Sequence, residues 1–193
     1  KLFFLLILFL TVFFQRVNAT PDLQQLGETY VDKWIEFYPS EAFTNGDTDA
    51  AWQFENFSST RVANWLEYNQ NILKLLRIAN VDLSIDQAID SRVLLRQSLM
   101  ELERWQYDKV LDNQAIFYAE LISQALTYVL VRDQFTAEEK ITILITRLRG
   151  VQSLAELGLA SLINGSPQRT RRAIKILQQT NEFYKNNLQS SRC

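Results

Sequence analysis

The chain has 193 residues, with 20 basic and 22 acidic side chains, a formal net charge of −2, one cysteine and no histidine. A mildly acidic chain is not a general nucleic-acid binder, and a lone Cys193 excludes an internal disulfide. The lack of histidine excludes a Ser-His-Asp triad, a Cys-His dyad and the common zinc sites within this chain. No catalytic, cofactor-binding or metal-ligating residue is therefore predicted.

Residues 1–19 have the pattern of a secretory signal peptide. Lys1 precedes an apolar run from Leu2 to Phe14, which is shorter than the roughly 20 residues that span a bilayer. Val17 and Ala19 then stand in signal-peptidase register. We expect export, to the periplasm or the medium, without a stable membrane anchor after cleavage. The alternative is an uncleaved anchor.

Cleavage after Ala19 would leave a helical domain of residues 20–193. It would remove two of the 20 basic residues and none of the 22 acidic ones, so the net charge would become −4. Six amphipathic segments in this range, and no convincing alternation of period two, predict an all-α fold. The expected architecture is an irregular antiparallel bundle of about six helices.

The first predicted helix begins with Thr20 as its cap and Pro21 at its first position. Its apolar stripe includes Tyr30 and Trp34, and Pro39 ends it. The following stretch, residues 38–52, is rich in Pro, Asn, Gly and Asp, and it predicts a loop.

Two further helices are placed by their start signals. Ser58 or Ser59 caps the second. The sequence SIDQ, Ser84 to Gln87, is a capping box that opens the third, which runs to Trp105. The stripe predicted to face the core in this third helix is Ile85, Ala88, Ile89, Leu95, Leu99 and Leu102.

The last three predicted helices are also located by local sequence signals. An alanine-rich fourth segment runs from Ala115 to Val129, and TAEE at residues 136–139 caps the fifth. Gly150 and Gly158 allow a kink in the fifth helix. Asn164 and Gly165 suit a left-handed helix end, and Pro167 suits the first turn of the sixth. The stripe predicted for the fifth helix is Ile141, Leu144, Ile145, Leu148, Ala155, Leu159 and Leu162.

Two carboxylate pairs are candidate sites, and for both an ordinary structural role is favoured. Asp47 and Asp49 resemble the start of a calcium loop, but Gly46 precedes them and no acid closes the loop, which favours a turn. Asp86 and Asp90 lie one helical turn apart, where paired carboxylates could act as acid and base or hold a metal. Acids near a helix start more often complement the helix dipole in solvent.

Arg169, Arg171, Arg172 and Lys175 form a basic cluster at the start of the sixth helix. An anionic partner would fit such a cluster. Pairing with acids on a neighbouring helix, or simple solvation, is the favoured interpretation.

The aromatic content is high for a small helical domain. Aromatic side chains could line a groove for a peptide or sugar, but core packing is favoured for residues at helical spacing. The tryptophans concerned are Trp34, Trp52, Trp65 and Trp105. A glycosylation sequon at residues 56–58 would matter only in a eukaryotic secretory route.

Three stretches in order, YPSEAFTNGD, DSRVLLRQSLMELERW and FTAEEKITILITRLRGVQSL, give the chain a family resemblance. It resembles the amino-terminal half of the bacterial domain of unknown function 885 family, whose members resemble zinc metallopeptidases. The similarity spans residues 24 to 188. The matching residues are Pro39, Ala42, Gly46, Asp47, Asp49, Asp90, Leu94, Leu95, Trp105, Phe135, Thr136, Arg147 and Leu148.

The resemblance implies that residues 38–52 form a structured crossover, held in place by Trp52, Phe54 and Phe57. It also implies a zinc site on a helix far downstream, where two histidines one turn apart bind the metal and a glutamate activates water. This chain has no histidine, so zinc is implied only for a full-length member. No catalytic position can be carried over, and no activity is expected from this chain alone.

These observations lead to a first hypothesis and two alternatives. We expect an exported, non-catalytic helical region of a metallopeptidase-like protein, a fragment that forms part of a substrate groove. Its expected partners are a carboxy-terminal catalytic domain and a peptide substrate. One alternative is a stand-alone exported helical module that binds a protein or peptide. Another is a degenerate product whose helices lack partners, which would be molten or aggregated.

Overall fold

A computed structural model describes residues 22–79 and 83–190. Every regular element in these two ranges is helical, and neither range contains a strand, which confirms the all-α prediction. The signal peptide predicted at residues 1–19, the predicted cap Thr20 and Cys193 lie outside the described residues. In the described ranges, no helix is both long and apolar enough to cross a membrane.

The described ranges contain eight α-helices. They are α1 (Leu23–Phe37), α2 (Pro39–Thr44), α3 (Ser59–Ala79), α4 (Ile85–Leu102), α5 (Val110–Asn113), α6 (Ala115–Val131), α7 (Ala137–Ser161) and α8 (Pro167–Ser190). A 3-10 turn, Asp49–Trp52, follows α2, and a π-helical segment, Glu103–Tyr107, extends α4. The six long helices correspond to the six predicted segments, whereas α2 and α5 were not predicted.

Both predicted capping boxes are present. Ser84 Oγ accepts a hydrogen bond from the Gln87 backbone N–H at 3.2 Å, and Gln87 Oε1 accepts one from the Ser84 N–H at 3.0 Å. Thr136 and Glu139 form the same reciprocal pair at the start of α7. These contacts join residues three apart, so the sequence alone is enough to predict them.

The predicted start of the first helix is wrong by two residues. Asp22 is the cap of α1, and its carboxylate accepts hydrogen bonds from the backbone N–H groups of Gln24 and Gln25. A carboxylate at this position satisfies free N–H groups of the first turn and complements the helix dipole. The other end is as predicted, since α1 ends at Phe37, two residues before Pro39.

The stretch predicted as a loop, residues 38–52, is largely helical. Pro39 is the first residue of α2, where its missing N–H costs no hydrogen bond. Gly46 then turns the chain with a φ of +113°, which other residues rarely adopt. Asp47 Oδ1 accepts hydrogen bonds from the N–H groups of Asp49 and Ala50, at 3.0 and 3.2 Å, and so starts the 3-10 turn.

The predicted core faces of α4 and α7 are wrong. In α4, Ile85 and Ile89 are 82% and 53% exposed, and Leu95 and Leu99 are exposed as well. In α7, most of the predicted stripe is also exposed, including Ile141, Ile145, Leu148 and Leu159. Of the predicted α4 stripe, Leu102 is buried as expected. The other buried residues are Ser91, Leu94, Ser98 and Glu101 in α4, and Ile143, Arg147, Leu154 and Gly158 in α7.

The core has two clusters. The larger joins α1, α3, α4, the π-helical segment, α5, α6 and α7, and it includes Phe37, Trp65 and Trp105. Phe37 stacks on Trp65 with ring centroids 4.9 Å apart and meets Trp105 edge-on at 5.4 Å. The smaller cluster joins α2, the 3-10 turn, α6 and α7 around Phe43 and Ile143. Helix α6 packs against both α7 and α8.

Helix α7 is continuous from Ala137 to Ser161, and both of its glycines lie against aromatic rings of other segments. A Cβ on Gly150 would lie 2.3 Å from Phe54 Cδ1, and a Cβ on Gly158 would lie 3.0 Å from the Tyr118 ring. The left-handed end predicted for this helix is also wrong. Among the described residues, only Lys109 and Gly46 have a positive φ, so Asn164 and Gly165 do not adopt that conformation.

Candidate functional site

A hollow of about 620 Å³ lies where α2, the π-helical segment, α5 and α6 meet. Five carboxylates and one guanidinium, that of Arg104, line it, and Tyr38 and Phe117 contribute aromatic surface. We call this hollow the acidic groove. Its carboxylates are Glu41, Glu55, Glu103, Asp108 and Glu120.

The turn after α4 places three of these charged side chains at the groove. Glu103 and Arg104 belong to the π-helical segment, a form often found at functional sites. Asp108 follows it, and Lys109 then adopts a left-handed conformation with φ 46° and ψ 60°. A non-glycine residue in this conformation costs about 1–2 kcal/mol. Hydrogen bonds from Asp112 N and Asn113 N to the Lys109 carbonyl close the turn and hold it there.

A buried carboxylate, Glu101, anchors the aromatic side of the groove. Its Oε2 accepts hydrogen bonds from Tyr38 OH at 2.5 Å, Trp65 Nε1 at 2.7 Å and Trp105 Nε1 at 3.2 Å. Trp105 Nε1 also donates to Tyr38 OH at 2.8 Å. Hydrogen bonds to a charged acceptor are among the stronger ones in proteins. The Tyr38 ring, which lines the groove, is therefore fixed in orientation.

Arg104 lies between the acidic groove and a second hollow of about 350 Å³. Both hollows are lined by Glu41 and Arg104, and the second also contacts Trp34, Val93 and Glu101. Arg104 Nη1 donates to Tyr38 OH at a long 3.4 Å. Burial lowers the pKa of Arg104, but its electrostatic interactions with Tyr38 and Glu101 raise it by more, so the guanidinium stays charged.

Glu55 reaches the groove from a network behind α2. Ser40 donates to its carboxylate from the backbone N–H at 2.8 Å and from Oγ at 2.7 Å. Arg147 Nη1 in turn donates to Ser40 Oγ at 3.0 Å. Burial raises the pKa of Glu55, although the hydrogen bonds from Ser40 and the charge of Arg147 oppose the increase.

Arg147 is fully buried and holds the crossover in place. Its guanidinium donates to the carbonyls of Ala50, Ala51 and Ala125 at 3.2, 2.8 and 3.1 Å. Burial lowers its pKa to about 10, so it remains protonated at neutral pH. Trp52 is 39% exposed, so its expected role in holding the crossover stays a prediction. Phe57 is buried, and Phe54 is partly buried beside Gly150, as their expected roles require.

Neither acidic pair from the sequence is part of the groove. Asp47 is half-buried and caps the 3-10 turn, in agreement with the interpretation of this stretch as a turn. Asp86 and Asp90 are exposed on α4. Across residues 22–79 and 83–190, no three side chains of His, Cys, Asp or Glu are grouped to hold a metal ion. The described residues thus provide no ligand set for zinc, which the family resemblance places on a helix farther downstream.

The basic cluster on α8 is solvated. Arg169, Arg171, Arg172 and Lys175 are all exposed. In the described part of the chain, the ion pairs involve only other cations, namely Lys33, Arg61 and Lys140. The cluster therefore forms no ion pair with acids on a neighbouring helix in the described residues, and its cations are solvent-exposed.

The tryptophans divide between core and surface. Trp65 and Trp105 are buried, as the core interpretation predicts, while Trp34 is half-buried at the second hollow. Asn56 of the sequon is exposed, and its Oδ1 accepts a hydrogen bond from Ser58 N at 3.0 Å. The acidic groove is lined by none of Trp34, Trp65, Trp105 and Asn56.

Sequence reasoning missed the buried carboxylates Glu55 and Glu101. Ser40, which binds Glu55, and Tyr38, which binds Glu101, are 15 and 63 residues away along the chain, so no local pattern predicts these contacts. One usable signal was the spacing of Glu101 and Trp105, four residues apart on a helix, where side chains meet. Arg147 was noted only for the family resemblance.

No family model, curated protein or solved structure matches this chain. The helical fold and the acidic groove are therefore the basis for a functional proposal.

Proposed function

We propose that this chain is the exported, non-catalytic helical region of a metallopeptidase-like protein. Its helices would form an irregular antiparallel bundle, and its acidic groove would form part of the surface that binds a peptide substrate. Residues 1–19 would be the cleaved signal peptide. The observation that carries the proposal is the convergence of five carboxylates and two aromatic rings on one hollow of about 620 Å³.

The chemistry of the groove favours a peptide with basic side chains. Lysine and arginine carry long apolar stems and a terminal charge, which suit a hollow with aromatic walls and acidic groups. Glu41, Glu103, Asp108 and Glu120 are exposed and solvated, so they can attract a cation without first breaking an ion pair. Arg104 would orient the peptide by repelling its basic groups from the end of the groove that it occupies.

The exposed apolar residues of α4 and α7 favour the proposal that this chain is part of a larger protein. Ile85, Ile89, Val93 and Leu99 on α4, and Ile141 on α7, are each at least half exposed. Exposed apolar residues grouped on a helix face can contact another protein surface. A catalytic domain packed on these faces would also bring its own residues toward the groove.

A stand-alone peptide-binding module is the second candidate, and the Arg147 network favours it. This network satisfies a buried charge within the described residues, without any contribution from another domain. Such a module would keep the groove and the peptide specificity. Its α4 and α7 faces would then remain exposed in solution.

Peptide binding can be tested with a library of peptides, measured by calorimetry at low and high salt. We expect lysine- and arginine-containing peptides to bind and acidic ones not to, with affinity falling as salt rises. Replacing Glu103→Gln and Glu120→Gln together should weaken binding. The matched control, Glu28→Gln with Glu67→Gln, changes two exposed acids outside the groove and should bind as the parent does. Equal affinity for acidic and basic peptides would contradict the proposal.

The gene sequence beyond codon 193 separates the two candidates. A continuing or frameshifted reading frame that encodes two histidines one helical turn apart with a glutamate would support the peptidase-like protein. A stop codon soon after codon 193, with no such segment downstream, would favour the stand-alone module.

A further inference from the structure

The segment that joins α7 to α8 combines exposed apolar side chains with unpaired cations. Residues 157–181 contain four basic residues and no acidic one, in a chain whose net charge is −2. Leu159 and Ile163 are 88% and 74% exposed. The four cations are Arg169, Arg171, Arg172 and Lys175, and together these six residues are called the α7–α8 corner.

A short connection links the apolar part of the corner to its basic part. Only five residues, 162–166, separate α7 from α8, and an extended chain advances at most about 3.6 Å per residue, so the apolar tip lies close to the first turns of α8. The N–H groups of Ile163 and Asn164 donate to the Asp112 carbonyl at 3.0 and 3.4 Å, which fixes the corner against α5. Ile174, half exposed, lies between Arg171 and Lys175 on the outer side of α8.

The α8 cations have no acidic partner in the described residues, and none of their guanidinium or ammonium groups donates a hydrogen bond there. Apolar side chains next to Lys and Arg are the combination that binds an anionic bilayer surface, because the chains enter the acyl boundary while the cations contact lipid phosphates.

We propose that the α7–α8 corner is a reversible docking site for an anionic phospholipid bilayer. Leu159 and Ile163 enter the interface, and the four α8 cations contact the headgroups. Neither the peptide specificity of the groove nor the peptidase relationship is needed for this inference, which concerns a different surface. The protein lies on the bilayer and does not cross it.

Sedimentation with vesicles of equal parts phosphatidylglycerol and phosphatidylcholine, against phosphatidylcholine alone, tests the proposal on the full chain. Replacing Arg169, Arg171, Arg172 and Lys175 together by Gln should lower partitioning to the anionic vesicles by about tenfold or more, since each cation near an anionic surface adds affinity. The matched control replaces Lys74, Arg77, Arg92 and Arg96 by Gln. Because every variant carries the same amino-terminal residues, differences between variants report on the substituted positions alone.

The apolar contribution has its own control. Leu159→Ser with Ile163→Ser should reduce partitioning, whereas Ile85→Ser with Ile89→Ser, on the exposed face of α4, should not. A polarity-sensitive fluorescent dye is attached to Gln168→Cys in a Cys193→Ser background. Its emission maximum should shift to shorter wavelength when anionic vesicles are added. The same dye on Gln70→Cys, outside the corner, should not shift.

Three results would overturn the inference. They are equal losses in the corner and control variants, an unshifted dye at residue 168, and unchanged partitioning when Leu159 and Ile163 are replaced. The last result, together with salt-sensitive binding of a single-stranded oligonucleotide by the parent but not by the four-cation variant, would assign the cluster to nucleic acid.

Discussion

Arg147 of α7 donates a hydrogen bond to Ser40 Oγ of α2 at 3.0 Å, across 107 residues of chain. Ser40 Oγ also donates a hydrogen bond to Glu55 Oε2 at 2.7 Å, and Glu55 lines the acidic groove. The groove is thus connected through one serine to the arginine that holds the 3-10 turn. A change at Arg147 should therefore affect both the stability of the fold and the groove.

Replacing Arg147→Met should destabilise the protein by about 3–5 kcal/mol, because it leaves buried carbonyls and Glu55 without their cationic partner. Arg147→Lys should also destabilise it, since an ammonium cannot reproduce the planar fork of donors. Denaturant unfolding followed by circular dichroism measures both. Arg149→Met, two residues away and exposed, is the control and should change stability by less than about 0.5 kcal/mol. A parent-like midpoint for Arg147→Met would show that the network adds no stability.

The raised pKa of Glu55 predicts how stability depends on pH. At pH values just above the ordinary carboxyl pKa, the folded state still holds the Glu55 proton while the unfolded state has lost it. The contribution of Glu55 is therefore greatest below the unfolded pKa and falls as pH rises toward the folded pKa. Glu55→Gln cannot titrate, so its stability relative to the parent should increase through this interval. Unfolding free energies measured across the pH series test this, with the exposed Glu67→Gln as control. Parallel curves for the parent and Glu55→Gln would contradict the assignment.

Two glycines should respond to alanine in opposite directions. A Cβ on Gly150 would lie 2.3 and 2.7 Å from Phe54 atoms, so Gly150→Ala must displace that ring, at a cost of about 1–3 kcal/mol. A Cβ on Gly27 in α1 would meet no neighbouring group within 4 Å, so Gly27→Ala should stabilise the helix by up to about 1 kcal/mol. Thermal unfolding of both variants measures the effects. Stabilisation by both substitutions would mean that Phe54 does not pack on α7.

Glu101→Gln should weaken the aromatic cluster. The amide keeps one oxygen acceptor but loses the charge that Tyr38, Trp65 and Trp105 share, and we expect a loss of about 1.5–3 kcal/mol. The near-ultraviolet circular dichroism of the tryptophans should also change. Glu103→Gln, on the exposed part of the adjacent π-helical segment, serves as control. Identical near-ultraviolet spectra for the parent and Glu101→Gln would contradict the role of Glu101 as the acceptor that Tyr38, Trp65 and Trp105 share.

The sequence by itself determined the all-α class and the starts of four helices. Ser58, Ser84 and Thr136 accept hydrogen bonds from N–H groups three residues on, and Pro167 begins α8. These signals are short-range, since a cap and its partners lie within one helical turn. The absence of histidine likewise follows from composition alone.

Only the tertiary structure decided which faces of α4 and α7 are buried. Hydrophobic periodicity favoured Ile85 and Ile141, yet Glu101 and Arg147 occupy the core because their partners come from distant segments. A buried charge is stable only when such partners surround it, and periodicity carries no information about contacts 63 or 107 residues away. The acidic groove depends on the same long-range contacts. Its carboxylates come from α2, the segment before α3, the π-helical segment and the residue after it, and α6.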